Sequence, residues 1–250
     1  DLERLIKAGA SIDDIEAHPS VIRAWERMEA IPLTKKMEGY GTTEWKTNRV
    51  FNFEDETLVG YEAGITKLYE NSRGLGWTDE GLTPQPIRQD RNIVIIVGPP
   101  ASGKSFFANK FARARKAAII DPDEAKKVLP EFEGGIGANA VHAESKVIMQ
   151  GVEKRALENG DNIVLPAVGH DKEILQRRIK MFQDAGYSVD LINMSVSSDT
   201  AYQRMFSRFI SEGRFINPEY LRLDVGNKPG EVYHATKKGA DRYASISNEG

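Results

Sequence analysis

Apolar and polar positions follow two different rhythms in the two parts of this chain. From Asn92 onward, short β-branched runs take turns with longer stretches of helical spacing, so that Ile93 to Val97, Ala117 to Ile120, Asn162 to Leu165 and Ser188 to Val196 read as strands. Such alternation predicts an α/β fold, a mostly parallel sheet flanked by crossover helices. The helix after the first strand is expected to turn Phe106, Phe107, Phe111 and Ala112 to the core and Lys110 and Arg113 outward. A short helix from Asp123 ends near Pro130, and a long one runs from about Ala138 to Asn159, stopped by Gly160. Asp171 caps a helix with Ile174, Leu175, Ile179 and Phe182 inward, and Ser198 opens another through Phe209. Tyr243 to Ile246 reads as a last, shorter strand.

Residues 1–91 show helical spacing without a strand followed by a glycine loop. Ser11 and Asp14 have the spacing of a capping box, and Ser20 is expected to cap a helix with Val21, Ile22, Trp25, Met28 and Ile31 on one face. Leu58, Tyr61, Ile65 and Leu68 suggest another helix. Gly74, Gly76, Gly81, Pro84 and Pro86 then punctuate a connector. The division is thus a mainly helical extension and connector over 1–91 and an α/β domain over 92–250, the second part expected to stand without the first. Trp45 and Trp77 fall outside the periodicity and read as packing anchors.

The first strand of the second part runs straight into Gly98-Pro99-Pro100-Ala101-Ser102-Gly103-Lys104-Ser105, a phosphate-binding (Walker A) loop between a buried strand and an amphipathic helix. Its backbone N–H groups and the helix N-terminus suit the phosphates of ATP, Lys104 the β and γ oxygens, and Ser105 a Mg²⁺ ion. The second strand ends in Ile119-Ile120-Asp121-Pro122-Asp123-Glu124, which sets carboxylates at the edge where open α/β sheets bind ligands. Either Asp121 or Asp123 has the chemistry to accept a proton from a substrate hydroxyl, and either has the position to cap the short helix.

Composition narrows the setting. The 250 residues carry a formal charge of -3 and contain no cysteine and four histidines, so disulfides and Cys-ligated metals are excluded and a zinc cluster is disfavoured. The acidic balance argues against broad nucleic-acid binding. Apolar runs are only strand-sized and the first residues are charged, so neither a membrane span nor a signal peptide is expected and the chain reads as cytoplasmic. Asp rather than Met at position 1 reads as the start of a piece of a longer chain.

Taken in order, Gly-Pro-Pro-Ala-Ser-Gly-Lys-Ser, Ile-Asp-Pro-Asp-Glu followed by Leu-Pro-Glu-Phe, and Gly-Asp-Asn-Ile-Val-Leu-Pro resemble the zeta toxins, the toxin halves of bacterial epsilon/zeta-type pairs. The resemblance covers about Asn92 to the C-terminus. It implies a P-loop kinase that transfers phosphate from ATP to a hydroxyl of a small nucleotide-like metabolite, UDP-N-acetylsugars in the known members. It also implies roles: Lys104 and Ser105 for ATP and Mg²⁺, Asp123 as general base, and Arg208 and Arg214 near the nucleotide phosphates. Where sugar-kinase members carry Glu-Gly-Thr, this chain has Pro166-Ala167-Val168. Gln150 replaces a substrate-contacting Glu, and His170 stands near a basic position of the family. Asp121, His142 and Glu144 complete the residues expected to face the acceptor. A UDP-N-acetylglucosamine kinase, an NAD-type dinucleotide kinase, a polynucleotide kinase and a non-catalytic nucleotide switch remain as alternatives. Antitoxins of the family are helical, so the extension reads as a packing element or a cis-inhibitory lid, and a separate helical antitoxin is a second partner class.

Overall fold

Strand β3, Asn92–Val97, lies at the centre of a five-stranded, all-parallel sheet ordered β4-β5-β3-β6-β7, in the computed structural model, which describes residues 1–74 and 86–249. Its neighbours are β5 (Ile163–Ala167) and β6 (Ser188–Ser195), with β4 (Ala118–Ile119) and β7 (Arg242–Ser247) at the edges. The residues of β3 divide by parity. Ile93, Ile95 and Val97 enter one apolar cluster, whereas Val94 and Ile96 enter a second on the opposite face with Ala108 and Ala112. Both faces are therefore covered, as the unbroken β-branched run requires.

The crossovers are α6 (Lys104–Arg115), α7 (Pro122–Lys127) with α8 (His142–Asn159), α9 (Lys172–Asp184), and α10 (Ser198–Glu212) followed by a π-helical segment at Tyr220–Val225 and α11 (Lys228–Thr236). They return the chain so that the loops after β3, β4 and β5 share the carboxyl edge of the sheet. The α/β prediction is met, including the C-terminal strand.

Before the sheet come α1 (Leu2–Lys7), α2 (Ile12–Glu16), α3 (Pro19–Ala30), α4 (Thr43–Asn48), the antiparallel hairpin β1 (Val50–Asn52) and β2 (Thr57–Val59), and α5 (Tyr61–Ser72). This part shares cores with the rest. Phe51, Tyr61 and Leu68 lie in the cluster that holds Ile93 and Ile95, while Leu2, Ile6, Ile15, Val21 and Met28 pack with Tyr202, Phe206 and Phe215. Residue 91 divides sequence patterns, and the apolar clusters cross it. The expected capping box holds: the Asp14 N–H donates to Ser11 Oγ at 3.2 Å.

Several local expectations are corrected. The cap of α3 is His18, whose Nδ1 accepts from the Ser20 N–H, because Pro19 opens the helix at its first turn. Leu58 belongs to β2, since Gly60, at φ +98°, breaks the chain before α5. Ile22, Phe106 and Ile174 are exposed, at the margins of faces whose centres are filled by Val21, Ala108 and Leu175. Residues 130–138 form a kinked 3₁₀ segment, because Glu133, Gly134 and Gly135 all have positive φ, and α8 starts at His142. Gly76, Trp77, Gly81 and Pro84 lie outside the described residues. Among the described residues no helix is long and apolar enough to cross a membrane.

Candidate active site

The loop between β3 and α6 is shaped by close backbone approaches. A Cβ on Gly98 would stand 2.5 Å from the Met194 carbonyl oxygen, and Gly103 has φ +88° with the Asn248 side chain against it. Ala101 is left-handed too, at φ +61°. No side chain caps α6, so its first-turn amides face the loop without intrahelical partners. Pro99, Pro100 and Ala101 are half-buried and Ser102 is fully buried. Lys104 folds into the loop: Nζ donates to the carbonyls of Gly98 at 2.8 Å and Pro99 at 2.6 Å. Burial, with the charges of Arg214 and Arg208, pulls its pKa down to about 8 against the opposing pull of Asp121 and Asp123.

Beside the loop is a cavity of about 510 Å³ whose lining includes Ser105, Asn109, Asp121, Asp123, Arg208 and Arg214. None of its lining residues comes from 1–74. The two aspartates differ in environment. Asp121 caps α7, its Oδ1 accepting from the Asp123 N–H at 3.0 Å, and burial next to the Asp123 charge raises its pKa to about 6. The capping reading is therefore the one met for Asp121. Asp123 is held on both oxygens, by Lys126 Nζ at 3.1 Å and by an Arg214 guanidinium nitrogen at 2.6 Å. Burial pushes its pKa up, but those two cations overcome it and hold the carboxyl well below the usual range.

Arg214 reaches Asp123 because the chain turns sharply at Gly213, φ +70°, and because Gly135 leaves room: a Cβ there would lie 2.8 Å from the Arg214 Cα. Arg208 lines the same cavity and is paired with Glu212 one helical turn away at 3.0 Å. Lys126 was not singled out from the sequence. Its i+3 spacing from Asp123 on the same short helix is the signal that could have found it.

The residues expected at the acceptor separate by helical phase. His142 and Gln150 fall on one face of α8, eight residues apart, with Lys146 midway, and Gln150 and Lys146 are exposed. The charges of Asp123, Lys126 and His170 all act on His142, which burial and the neighbouring cations drop to a pKa of about 4. His170 meets the Tyr220 ring edge-on at 6.3 Å. Val168 packs against the apolar cluster of α10, and its carbonyl accepts from the Gly98 N–H at 3.1 Å.

Glu144 does not face this side. Two residues beyond His142 on a helix is the opposite face, and there its carboxylate is wholly buried, accepting from Trp45 Nε1 at 3.1 Å, Arg49 Nε at 2.9 Å and Tyr61 Oη at 2.8 Å. The expectation that Glu144 binds substrate is replaced by an anchor for residues 45–61, and Trp45 is the packing anchor expected of it. Arg49 completes the anchor with a second carboxylate, Glu131, at 2.5 Å.

The family model of the zeta toxins matches residues 78–232. No curated protein matches the chain in sequence. Among solved structures, the PezAT chromosomal toxin-antitoxin system of Streptococcus pneumoniae is similar at 13% identity and a TM-score of 0.59, over 75% of this chain and 78% of that one. The AvrRxo1-ORF1:-ORF2 complex is similar at 16% identity and a TM-score of 0.49, over 75% and 62%. Shikimate kinase from Aquifex aeolicus follows at 15% identity and a TM-score of 0.35, over 61% and 85%. The first of these likenesses bears on the fold, a P-loop α/β architecture.

Proposed function

The chain belongs to the zeta toxin family, and from that premise we propose that it is an ATP-dependent kinase that phosphorylates a hydroxyl of a small nucleotide-like metabolite in the cytoplasm. The observation that carries this reading is the meeting of Ser105, Asp123, Arg208 and Arg214 around one cavity beside the loop that holds Lys104. The loop fits ATP: the first-turn amides of α6 open onto it with no side chain capping them, and Lys104 already points its ammonium at oxygen acceptors within it.

In this reading the acceptor hydroxyl forms the new bond to the γ phosphorus while the bond to the β,γ-bridging oxygen breaks, releasing ADP, and Asp123 takes the hydroxyl proton. Lys104 and Arg208 neutralise the charge on the equatorial oxygens, and Arg214 exchanges its carboxylate partner for the phosphate. Ser105 is the side chain that would hold a Mg²⁺ ion, whose contribution is to neutralise the β and γ phosphates. A helical antitoxin is the partner class we propose, since the similar PezAT structure is of a toxin-antitoxin system. The described extension supports the packing role over the lid, because it contributes nothing to the cavity lining.

The test is transfer of label from the γ position of ATP to small molecules of a cell extract, resolved by mass spectrometry. A kinase consumes ATP only with the extract present. Consumption that is indifferent to the extract, or binding without consumption, would overturn the proposal in favour of an ATPase or a switch.

A further inference from the structure

Residues beyond β7 reach the phosphate loop. Asn248 donates through Nδ2 to the Ser102 carbonyl at 3.0 Å, across 146 positions of sequence. Its amide also fills the space beside Gly103, where a Cβ would stand 2.4 Å from the same nitrogen. Glycine at 103 is thus required by this neighbour as well as by its φ of +88°.

Asn248 is held from the far side. Its own N–H donates to the Ser195 carbonyl at 3.0 Å, which carries the pairing of β7 with β6 one residue further. Glu249 accepts from the Ser197 N–H at 2.7 Å and from the Thr200 hydroxyl at 3.2 Å. Upstream, Asn193 Nδ2 donates to Ser245 Oγ at 3.0 Å, and Ile246 packs with Phe107 and Phe111 on the cluster of Val94 and Ile96. An edge strand whose side chains are mostly exposed therefore ends in a braced segment, and that segment presents one side-chain amide to the loop.

The Ser102 carbonyl and the Gly103 N–H belong to one planar trans peptide unit, so they point in opposite directions. By holding the carbonyl, Asn248 turns the N–H away from itself. Among the described residues that N–H meets no acceptor, and it adjoins the uncapped first turn of α6. Because Gly103 carries no Cβ, rotation of this peptide meets little steric resistance. Lys104 ties down the carbonyls of Gly98 and Pro99 at the other end of the loop, which leaves Asn248 as the restraint on the peptide between Ser102 and Gly103.

We propose that Asn248 is a positioning residue for nucleotide binding, fixing the 102–103 peptide with its N–H aimed at a nucleotide phosphate. The inference rests on the kinase reading for that phosphate. An amide aimed in advance spares the nucleotide the cost of ordering it, so loss of Asn248 weakens binding while the groups that carry the chemistry stay in place.

Calorimetric titration with ADP tests it, since binding alone needs no acceptor, and NMR follows the Gly103 amide. Asn248→Ala is expected to raise the Kd for ADP by about 3- to 10-fold. Asn248→Leu, which keeps the bulk and removes the donor, should lose as much. Glu249→Ala releases the same segment without touching the loop and should leave the Kd unchanged. In the wild type ADP should move the Gly103 amide resonance, and in Asn248→Ala that shift should shrink. Wild-type affinity in Asn248→Leu would overturn the proposal by reducing Asn248 to packing. An equal loss in Glu249→Ala would overturn it by assigning the effect to the seating of β7. A wild-type protein that takes up no ADP would instead overturn the kinase reading, and the proposal with it.

Discussion

Arg214 donates to Oδ2 of Asp123 at 2.6 Å across 91 positions of sequence, and Lys126 holds the other oxygen of the same carboxylate. A carboxylate so clasped is a weak base. Phosphoryl transfer through a loose transition state needs a proton acceptor only late, so a low proton affinity is compatible with the role, and it is relieved if Arg214 turns to the phosphates.

Arg214→Gln is expected to lower kcat/KM and to move its acidic limb to higher pH. The sign follows from the shift: Asp123 sits below its ordinary value in the folded protein, so removing a cation raises it and ionisation is reached later as pH rises. The same pair contributes stability that is complete above the unfolded aspartate pKa, about 3.9, and is lost as pH falls below it. A pH profile of kcat/KM that loses height without moving its limb would show that Arg214 acts on phosphate alone.

Lys104→Ala and Asp123→Ala should both abolish transfer, by different routes. Lys104 faces the loop interior, whereas Asp123 lies across the cavity, so ATP affinity should fall mainly in the first. Calorimetric titration of each variant with ATP separates them. Wild-type turnover by Asp123→Ala would remove it from the chemistry.

Much of this site was legible because its parts are local. The loop from Gly98 to Ser105 is one contiguous motif, and Asp123 follows a strand that hydrophobicity alone marks out. Glu144 was misread for a reason that sequence spacing could have supplied. It is two residues from His142 and so on the opposite face of α8, although which face met residues 45–61 depends on packing across a separation of 83 to 99 positions. The cores shared across residue 91 were hidden for the same cause. A connector rich in Gly and Pro marks a change of pattern, yet Phe51, fully buried, fills the cluster on the far side of it.

Glu144→Ala should therefore destabilise the protein by about 2 to 5 kcal/mol, because it leaves Trp45 Nε1 and Tyr61 Oη without their acceptor and the buried Arg49 with one carboxylate instead of two. Denaturant unfolding measures it. A chain beginning at Gln85 removes Trp45, Arg49, Phe51 and Tyr61 together and should unfold at lower denaturant or aggregate. A cooperative transition at the wild-type midpoint would restore the view that the second part stands alone.

UDP-N-acetylglucosamine should not be the best acceptor. Pro166 and Ala167 are the last residues of β5, Pro166 buried in register with Ile96 and Ala167 beside Val97, and just beyond them Val168 packs on the cluster of α10 while its carbonyl is bound by Gly98. No side chain of these three donates or accepts a hydrogen bond, where the resemblance sets a Glu and a Thr against the sugar. Two missing partners would weaken the transition-state complex by about 2 to 6 kcal/mol, roughly 30-fold to 10⁴-fold if they add. The exposed Gln150 and the imidazoles of His142 and His170 are the groups from which compensation would have to come. Comparison of kcat/KM for UDP-N-acetylglucosamine, NAD and nucleoside monophosphates decides it. If the sugar nucleotide outruns every other acceptor, Gln150→Ala is the variant that shows whether those new contacts carry it.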